Sequence, residues 1–429
     1  MKSTLNSKSL IKRGLIILLI LLFCQAFWLA FITPAPELKT HYQHPSFYSE
    51  NSPHYLSDWP KNIAPALNEQ REAFVDSLLN QLTLEEKIAQ MVLLPESIPP
   101  ADYERYPFSG IVFDQGSNTR DGKKLKDWRK KLDTWWRLQK EYSAEVNRPF
   151  IPPFLKLDTH AGNGMTLYQT IFPTRLNLGQ TQNPELVEAV ANAQAKQAAY
   201  IGFNWVTEGF DSPIHDKRIA QMGQSFSEDP ALNKILSASY VKGAQFSQSP
   251  LLDTQSYMMT SSRGFLALGS ASFTRGNIFE DESVLLNRYA PAHISAITQG
   301  VMSIELSNGQ INSEDMINSK YYVQTILKDT LGFNGIVMAP LNATAQIPGC
   351  RLAACSSAIN AGVDLFYFAS NVSIKSGPAS YAQEDYDASE KFIISTKHAV
   401  ESGDIKIERI NDAARRVFRT KHQLGLFDY

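Results

Sequence analysis

The sequence predicts an α/β fold: a TIM-type (β/α)8 barrel preceded by one N-terminal transmembrane helix. Two observations carry the barrel. Short apolar runs recur between longer amphipathic stretches, as in βα units whose parallel strands are buried on both faces, and eight such runs are present. An open doubly wound sheet is the competing architecture, but no Gly-rich phosphate loop follows the first run. A third observation concerns the N-terminus. Lys8, Lys12 and Arg13 precede an uncharged apolar run from Gly14 to Ile32, about as long as a bilayer core requires.

In chain order, residues 1–13 form a basic cytoplasmic segment, 14–32 a membrane anchor, 33–68 a linker and 69–429 the barrel. Basic residues before the apolar run and none directly after it place the N-terminus in the cytoplasm and the barrel in the periplasm or outside the cell. A cleaved signal peptide is the alternative. The run is long for one, and Pro34 and Pro36 flank Ala35, the small-residue site such cleavage would use. A lipid anchor at Cys24 is disfavoured because Phe23 stands where a small residue is needed. From Pro34 to about Pro65 the chain is rich in Pro, Ser, His, Tyr and Asn without periodicity, which reads as a tether. His41, His44 and His54 belong to that polar tether rather than to a metal site.

The eight strands are Met91 to Leu94, Gly110 to Asp114, Phe154 to Asp158, Phe203 to Thr207, Tyr257 to Ser261, Val301 to Leu306, Gly335 to Ala339 and Val363 to Ala369. Helices are predicted between them, including Pro184 to Ala199, whose alanine spacing suits packing on a sheet, and Lys320 to Leu331. Cys350 and Cys355 lie five residues apart beyond the anchor. They either pair, with the Pro348-Gly349 break folding the first one back, or remain two small buried thiols. A composition of 43% hydrophobic and 11% aromatic residues suffices for one large core. The formal net charge of −2 argues against nucleic acid as a partner.

Several blocks resemble the N-terminal barrel of glycoside hydrolase family 3, most closely its single-domain bacterial β-N-acetylhexosaminidase branch. Leu82-Thr-Leu-Glu-Glu-Lys-Ile-Ala-Gln-Met91 is similar to the family's opening helix. Leu157-Asp158 with Gly162, Phe172-Pro173 with Leu178-Gly179, and Ser225-Phe-Ser-Glu-Asp-Pro230 follow in family order. Leu331-Gly-Phe-Asn-Gly-Ile-Val337, Asn360-Ala-Gly-Val-Asp364, and Arg415-Arg416 to Leu424-Gly-Leu-Phe427 complete the match. Each block is weak alone, but together they span about residues 76 to 427. The sequence ends at Tyr429, just after the barrel, so the second α/β domain of the family's β-glucosidases is not expected.

The resemblance implies a carbohydrate partner, with cell-wall amino sugars as one class, and no cofactor or metal. It makes Asp158 the group that grips sugar hydroxyls, with Arg263 and Asp211 as further substrate-binding candidates, although the family aspartate that Asp211 matches commonly serves a structural role beside the site. It also exposes departures. The family strand that ends in Ser-Asp, where the aspartate is the nucleophile, ends here in Ala339-Pro340. The Lys-His-Phe that holds substrate reads Arg263-Gly264-Phe265, an arginine is replaced near Asn163, and another becomes Gln224. No histidine lies between His215 and His293, so the branch's acid/base Asp-His pair has no counterpart there. Leu266 and Leu268 are candidates for filling the pocket.

Two function classes follow, with a scaffold whose pocket is plugged as a third. One is a catalytically degenerate barrel that binds a glycan or a protein partner. The other is an active glycosidase with relocated carboxylates, Glu305 and Glu208, since a retaining pair must stand about 5 Å apart and an inverting pair roughly 6.5–9.5 Å apart at the strand ends. Ion pairing of these groups with Arg263 or Lys217 is the competing role. A metal site from His160 and His215 with Asp158 or Asp211 has no spacing signature to support it.

Overall fold

The computed structural model describes residues 58–96, 105–114, 125–159, 170–214, 222–245, 258–266, 268, 277–340, 355–368 and 378–428. All of them lie in the second of two units into which the chain divides, His54–Tyr429. The apolar run 14–32 lies outside the described residues, and no described helix is long and apolar enough to cross a membrane.

Eight parallel strands form the core: β1 Val92–Pro95, β2 Gly110–Asp114, β3 Phe154–Thr159, β4 Trp205–Glu208, β5 Met259–Phe265, β6 Ser303–Leu306, β7 Ile336–Met338 and β8 Phe366–Tyr367. Their order in the sheet is β7-β6-β5-β4-β3-β2-β1-β8. The two ends meet where Met338 bridges Leu365 in parallel and the Ala339 N–H donates to the Leu365 carbonyl at 2.9 Å. The result is a nearly closed TIM-like barrel. The eight predicted strands are all present, Gly110–Asp114 with the ends expected and the others with shifted ends. The shift that matters is in β5, which continues past Ser261 to Phe265 and so carries Arg263 inside the barrel wall.

Side chains alternate between interior and helix layer along each strand. Phe154, Trp205, Met259 and Ile336 close the barrel floor with Leu93 and Val112, and the Phe154 and Trp205 rings meet edge to face at 5.3 Å. Leu155, Leu157, Val206, Ile304 and Val337 face outward into the larger cluster beneath the helices. One such helix, Pro184–Ile201, starts where the Asn183 side chain accepts from the Leu186 N–H, carries Pro in its first turn, and ends at Gly202, whose φ of 117° few other residues adopt. Thr83 and Glu86 form a capping box on the short helix Leu84–Ala89.

Composition places residues 58–68 in the linker, but in the structure these residues pack on the barrel. Trp59 is buried with its indole N–H on Glu282, and the Asn62 and Ile63 N–H groups donate to the Thr330 and Leu331 carbonyls. This segment satisfies its backbone across the chain rather than in a local element, so it leaves no periodic trace in sequence. The helix predicted at 320–331 is present as Tyr321–Thr330 with the wider π winding. The C-terminal helix Ile407–Gln423 is tied to the barrel by a buried cluster in which Lys328 pairs with Asp364 and Asp412, and Arg416 with Asp412. Cys355 is buried and disulfide-bonded, and its partner lies outside the described residues.

Candidate functional site

The upper interior of the barrel carries a row of alternating charge. Lys156 and Asp158 project from β3 on the same face, and Lys156 Nζ donates to Asp158 Oδ2 at 3.0 Å. From β5, Arg263 Nη1 donates to Asp158 Oδ1 at 3.2 Å. The same guanidinium holds Glu305 of β6 in a two-pronged bond, Nε to Oε2 at 3.0 Å and Nη2 to Oε1 at 3.1 Å. The β5–β6 register sets this pair, because Arg263 and Glu305 are direct neighbours. Side-chain exposure rises along the row from 6% at Glu305 through 10% at Arg263 to 18% at Asp158. Asp158 is therefore the most exposed group of the row. The Phe210 ring supports the guanidinium at 5.0 Å. Two cations and two carboxylates leave the row formally neutral, with N–H donors beside carboxylate acceptors, a surface suited to hydroxyl-rich ligands.

Pro340 completes the interior at this level. It is buried two residues beyond Met338, which pairs with Glu305 across the β6–β7 seam.

Asp211 lies behind the row rather than in it. Its N–H donates to the Arg263 carbonyl at 3.1 Å, and its Oδ2 accepts from the Arg263 N–H at 3.2 Å. Arg175 Nη1 donates to Oδ1 at 2.7 Å, and both side chains are almost wholly buried. Arg175 is held between the rings of Tyr240 at 4.3 Å and Phe226 at 4.8 Å. Burial alone would push the Asp211 carboxyl up, but Arg175, His293 and the Ser262 hydroxyl together hold it below its ordinary range. Asp211 thus fixes the backbone from which Arg263 projects.

Glu208 does not share the interior with the other candidates. Thr207 faces inward and Glu208 outward, where Gln194 Nε2 donates to its Oε2 at 2.8 Å and the Tyr240 hydroxyl at 3.4 Å. A one-residue step in strand parity separates the two faces.

Three residues that sequence reasoning missed belong to this region: Lys156, Arg175 and His293. The His293 ring lies between Ser262 Oγ, 2.8 Å from Nδ1, and Ser212 Oγ, 3.2 Å from Nε2. Burial pushes its pKa down to about 4 against the pull of Asp211, so the ring is neutral near pH 7. Gly264 has φ of +86°, and a Cβ there would stand 3.0 Å from the Leu268 Cβ. Leu268 thus fills the space beside the glycine, while Leu266 is buried in the outer core. His160, Asn163, His215 and Lys217 lie outside the described residues. Among the described residues no group of three or more His, Cys, Asp and Glu side chains is placed to hold a metal.

A family profile described as Glycosyl hydrolase family 3 N terminal domain matches residues 83–420. The chain belongs to glycosyl hydrolase family 3. Among curated relatives it is similar to the periplasmic beta-glucosidase of Salmonella typhimurium, 26% identical over 85% of this chain and 44% of that protein. Among solved structures it is similar to the exo-1,3/1,4-beta-glucanase of a Pseudoalteromonas species, with a TM-score of 0.76 and 28% identity over 86% of this chain and 44% of that one. A beta-glucosidase from Listeria innocua in complex with isofagomine shares the fold at a TM-score of 0.66 and 22% identity, over 84% of this chain and 47% of that one. The chain thus spans less than half the length of each of these proteins.

Proposed function

We propose that this barrel binds a neutral glycan at the Asp158–Arg263 row and no longer carries out the hydrolysis of its family. The observation that carries the reading is Pro340. By resemblance it stands where the family nucleophile ends its strand, and a proline can neither ionise nor accept a glycosyl group. The neighbouring carboxylate across the seam, Glu305, has both oxygens in the Arg263 fork, which suits an ion-paired support better than a nucleophile or a proton donor. Glu208, the other relocated candidate, is turned to the helix layer. His293 is buried and neutral, a poor general acid near pH 7.

The ligand class comes from the relatives and the donor set. The named relatives are β-glucosidases and a β-glucanase, and the sequence blocks are also similar to the β-N-acetylhexosaminidase branch. A β-linked glucose-type or amino-sugar glycan fits both. The apolar run 14–32 would hold the barrel at the outer face of a membrane, where cell-wall glycan is at hand, and the disulfide at Cys355 suits an oxidising compartment.

The test is binding by the full chain of methyl β-glucoside, methyl N-acetyl-β-glucosaminide and short oligomers of each, followed by calorimetry. Saturable binding that Asp158→Ala weakens supports the reading. Absence of binding to both sugar classes removes it.

A further inference from the structure

We propose that Lys156 is a positioning residue for the cleft, aiming the Asp158 carboxylate at a sugar diol from one layer deeper in the barrel. This rests on the glycan-binding reading above. Lys156 precedes Asp158 by two residues on β3, so both share the interior face. Its side chain is only 1% exposed, and Nζ lies 5.5 Å from the centre of the Trp205 ring. Nζ bonds Asp158 Oδ2 from below, while Arg263 Nη1 bonds Oδ1 from the neighbouring wall. The terminal torsion of an aspartate is broad. One cation on each oxygen fixes its plane, and with it the direction in which the carboxylate presents its remaining acceptor capacity.

Stability does not account for a lysine at this depth. Replacing both members of a buried ion pair by apolar side chains of similar volume is often neutral or stabilising, whereas removing one member alone is costly. A methionine would cover the Trp205 ring as well as the lysine stem does. What methionine lacks is a directed N–H on Oδ2. Glu305 does not supply this function, because the Arg263 fork occupies it.

Lys156→Met, Asp158→Ala and the double variant are compared with the wild type in the full chain. The readouts are affinity for methyl β-glucoside and methyl N-acetyl-β-glucosaminide, the thermal midpoint, and crystal structures of the wild type and Lys156→Met. The proposal expects Lys156→Met, which removes one member of a buried pair, to melt below the wild type and to lose affinity by about tenfold or more, the scale of one misdirected charge-assisted hydrogen bond. The double variant should bind no more weakly than Asp158→Ala alone, and the Asp158 carboxylate should be turned in the Lys156→Met crystals. Wild-type affinity in Lys156→Met, or an Asp158 carboxylate that keeps its plane and its Arg263 bond, would overturn the proposal. If the wild type binds neither glycoside, the glycan reading fails and the crystals still decide the positioning: a turned carboxylate supports it and an unmoved one overturns it.

Discussion

Replacing Glu305 by Leu removes one half of a buried two-pronged ion pair, and the structure fixes how much that should cost. Glu305 and Arg263 are 6% and 10% exposed, so water screens the pair little. Without the carboxylate, Nε and Nη2 of Arg263 face an apolar side chain. Breaking a buried pair from one side costs about 3–5 kcal/mol. Asp158 still accepts from Nη1 and Phe210 still supports the guanidinium, which puts the expectation at the lower end, about 3 kcal/mol. For a domain of this size that corresponds to a drop of roughly 4 °C in melting temperature. Arg263→Met should cost a similar amount, because it strands Glu305. The double variant Arg263→Met/Glu305→Leu leaves neither charge alone and should return to within about 1 kcal/mol of the wild type. The assay is urea unfolding of the full chain, with the slope checked for constancy, alongside thermal melts. A Glu305→Leu loss below about 1 kcal/mol, or a double variant as unstable as the two single losses combined, would refute the claim that Glu305 serves chiefly to hold Arg263.

Asp211 gives a pH signature. Its folded carboxyl lies below the unfolded value of about 3.9, so its stabilisation is present above that pH and drains away as acid protonates the folded group. Asp211→Asn should melt below the wild type at pH 6 and converge on it in melts carried toward pH 3. Lys421 has the opposite sign. Burial holds its folded pKa well below normal, with Gln90 Oε1 as acceptor at 2.8 Å, so the folded state binds fewer protons and the penalty eases as pH rises toward the unfolded value. Lys421→Met should therefore be at least as stable at pH 7 and show a flatter pH dependence up to about pH 10, read from urea midpoints. Gly264→Ala should cost about 1–2 kcal/mol for its positive φ, plus the contact with Leu268. Adding Leu268→Ala removes the Cδ2 contact at 3.1 Å but keeps the Cβ at 3.0 Å, so it should recover only a fraction of the contact cost and none of the backbone cost.

The barrel is legible in sequence because its signals are local. Eight buried runs, Asn183 with Pro184, and Thr83 with Glu86 each act within a few residues of themselves. Asp158 is legible from its place at a strand end, and Pro340 from the departure it makes. Arg175, Lys156 and His293 are not. Arg175 meets Asp211 across 36 residues, and His293 meets Ser212 across 81. Lys156 reads as an interruption in an apolar strand until its neighbour two residues on is seen to share its face. Glu208 and Thr207 are adjacent in sequence, and only the pleat shows which one enters the barrel. The packed segment 58–68 reads as tether because its stabilising partners, Glu282, Thr330 and Leu331, are far along the chain, the nearest of them 223 residues away.

The measurement that bears most directly on the central claim is glycoside hydrolysis by the full chain. Chromogenic β-glucosides and β-N-acetylglucosaminides are incubated with the wild type, Asp158→Ala, Glu305→Gln and Glu208→Gln. The account predicts release no faster than that of Asp158→Ala, even where the wild type binds the same sugars. Wild-type turnover that disappears in Glu305→Gln or Glu208→Gln would contradict it, and would mean that the family's chemistry has been rebuilt on a carboxylate other than the one Pro340 replaces.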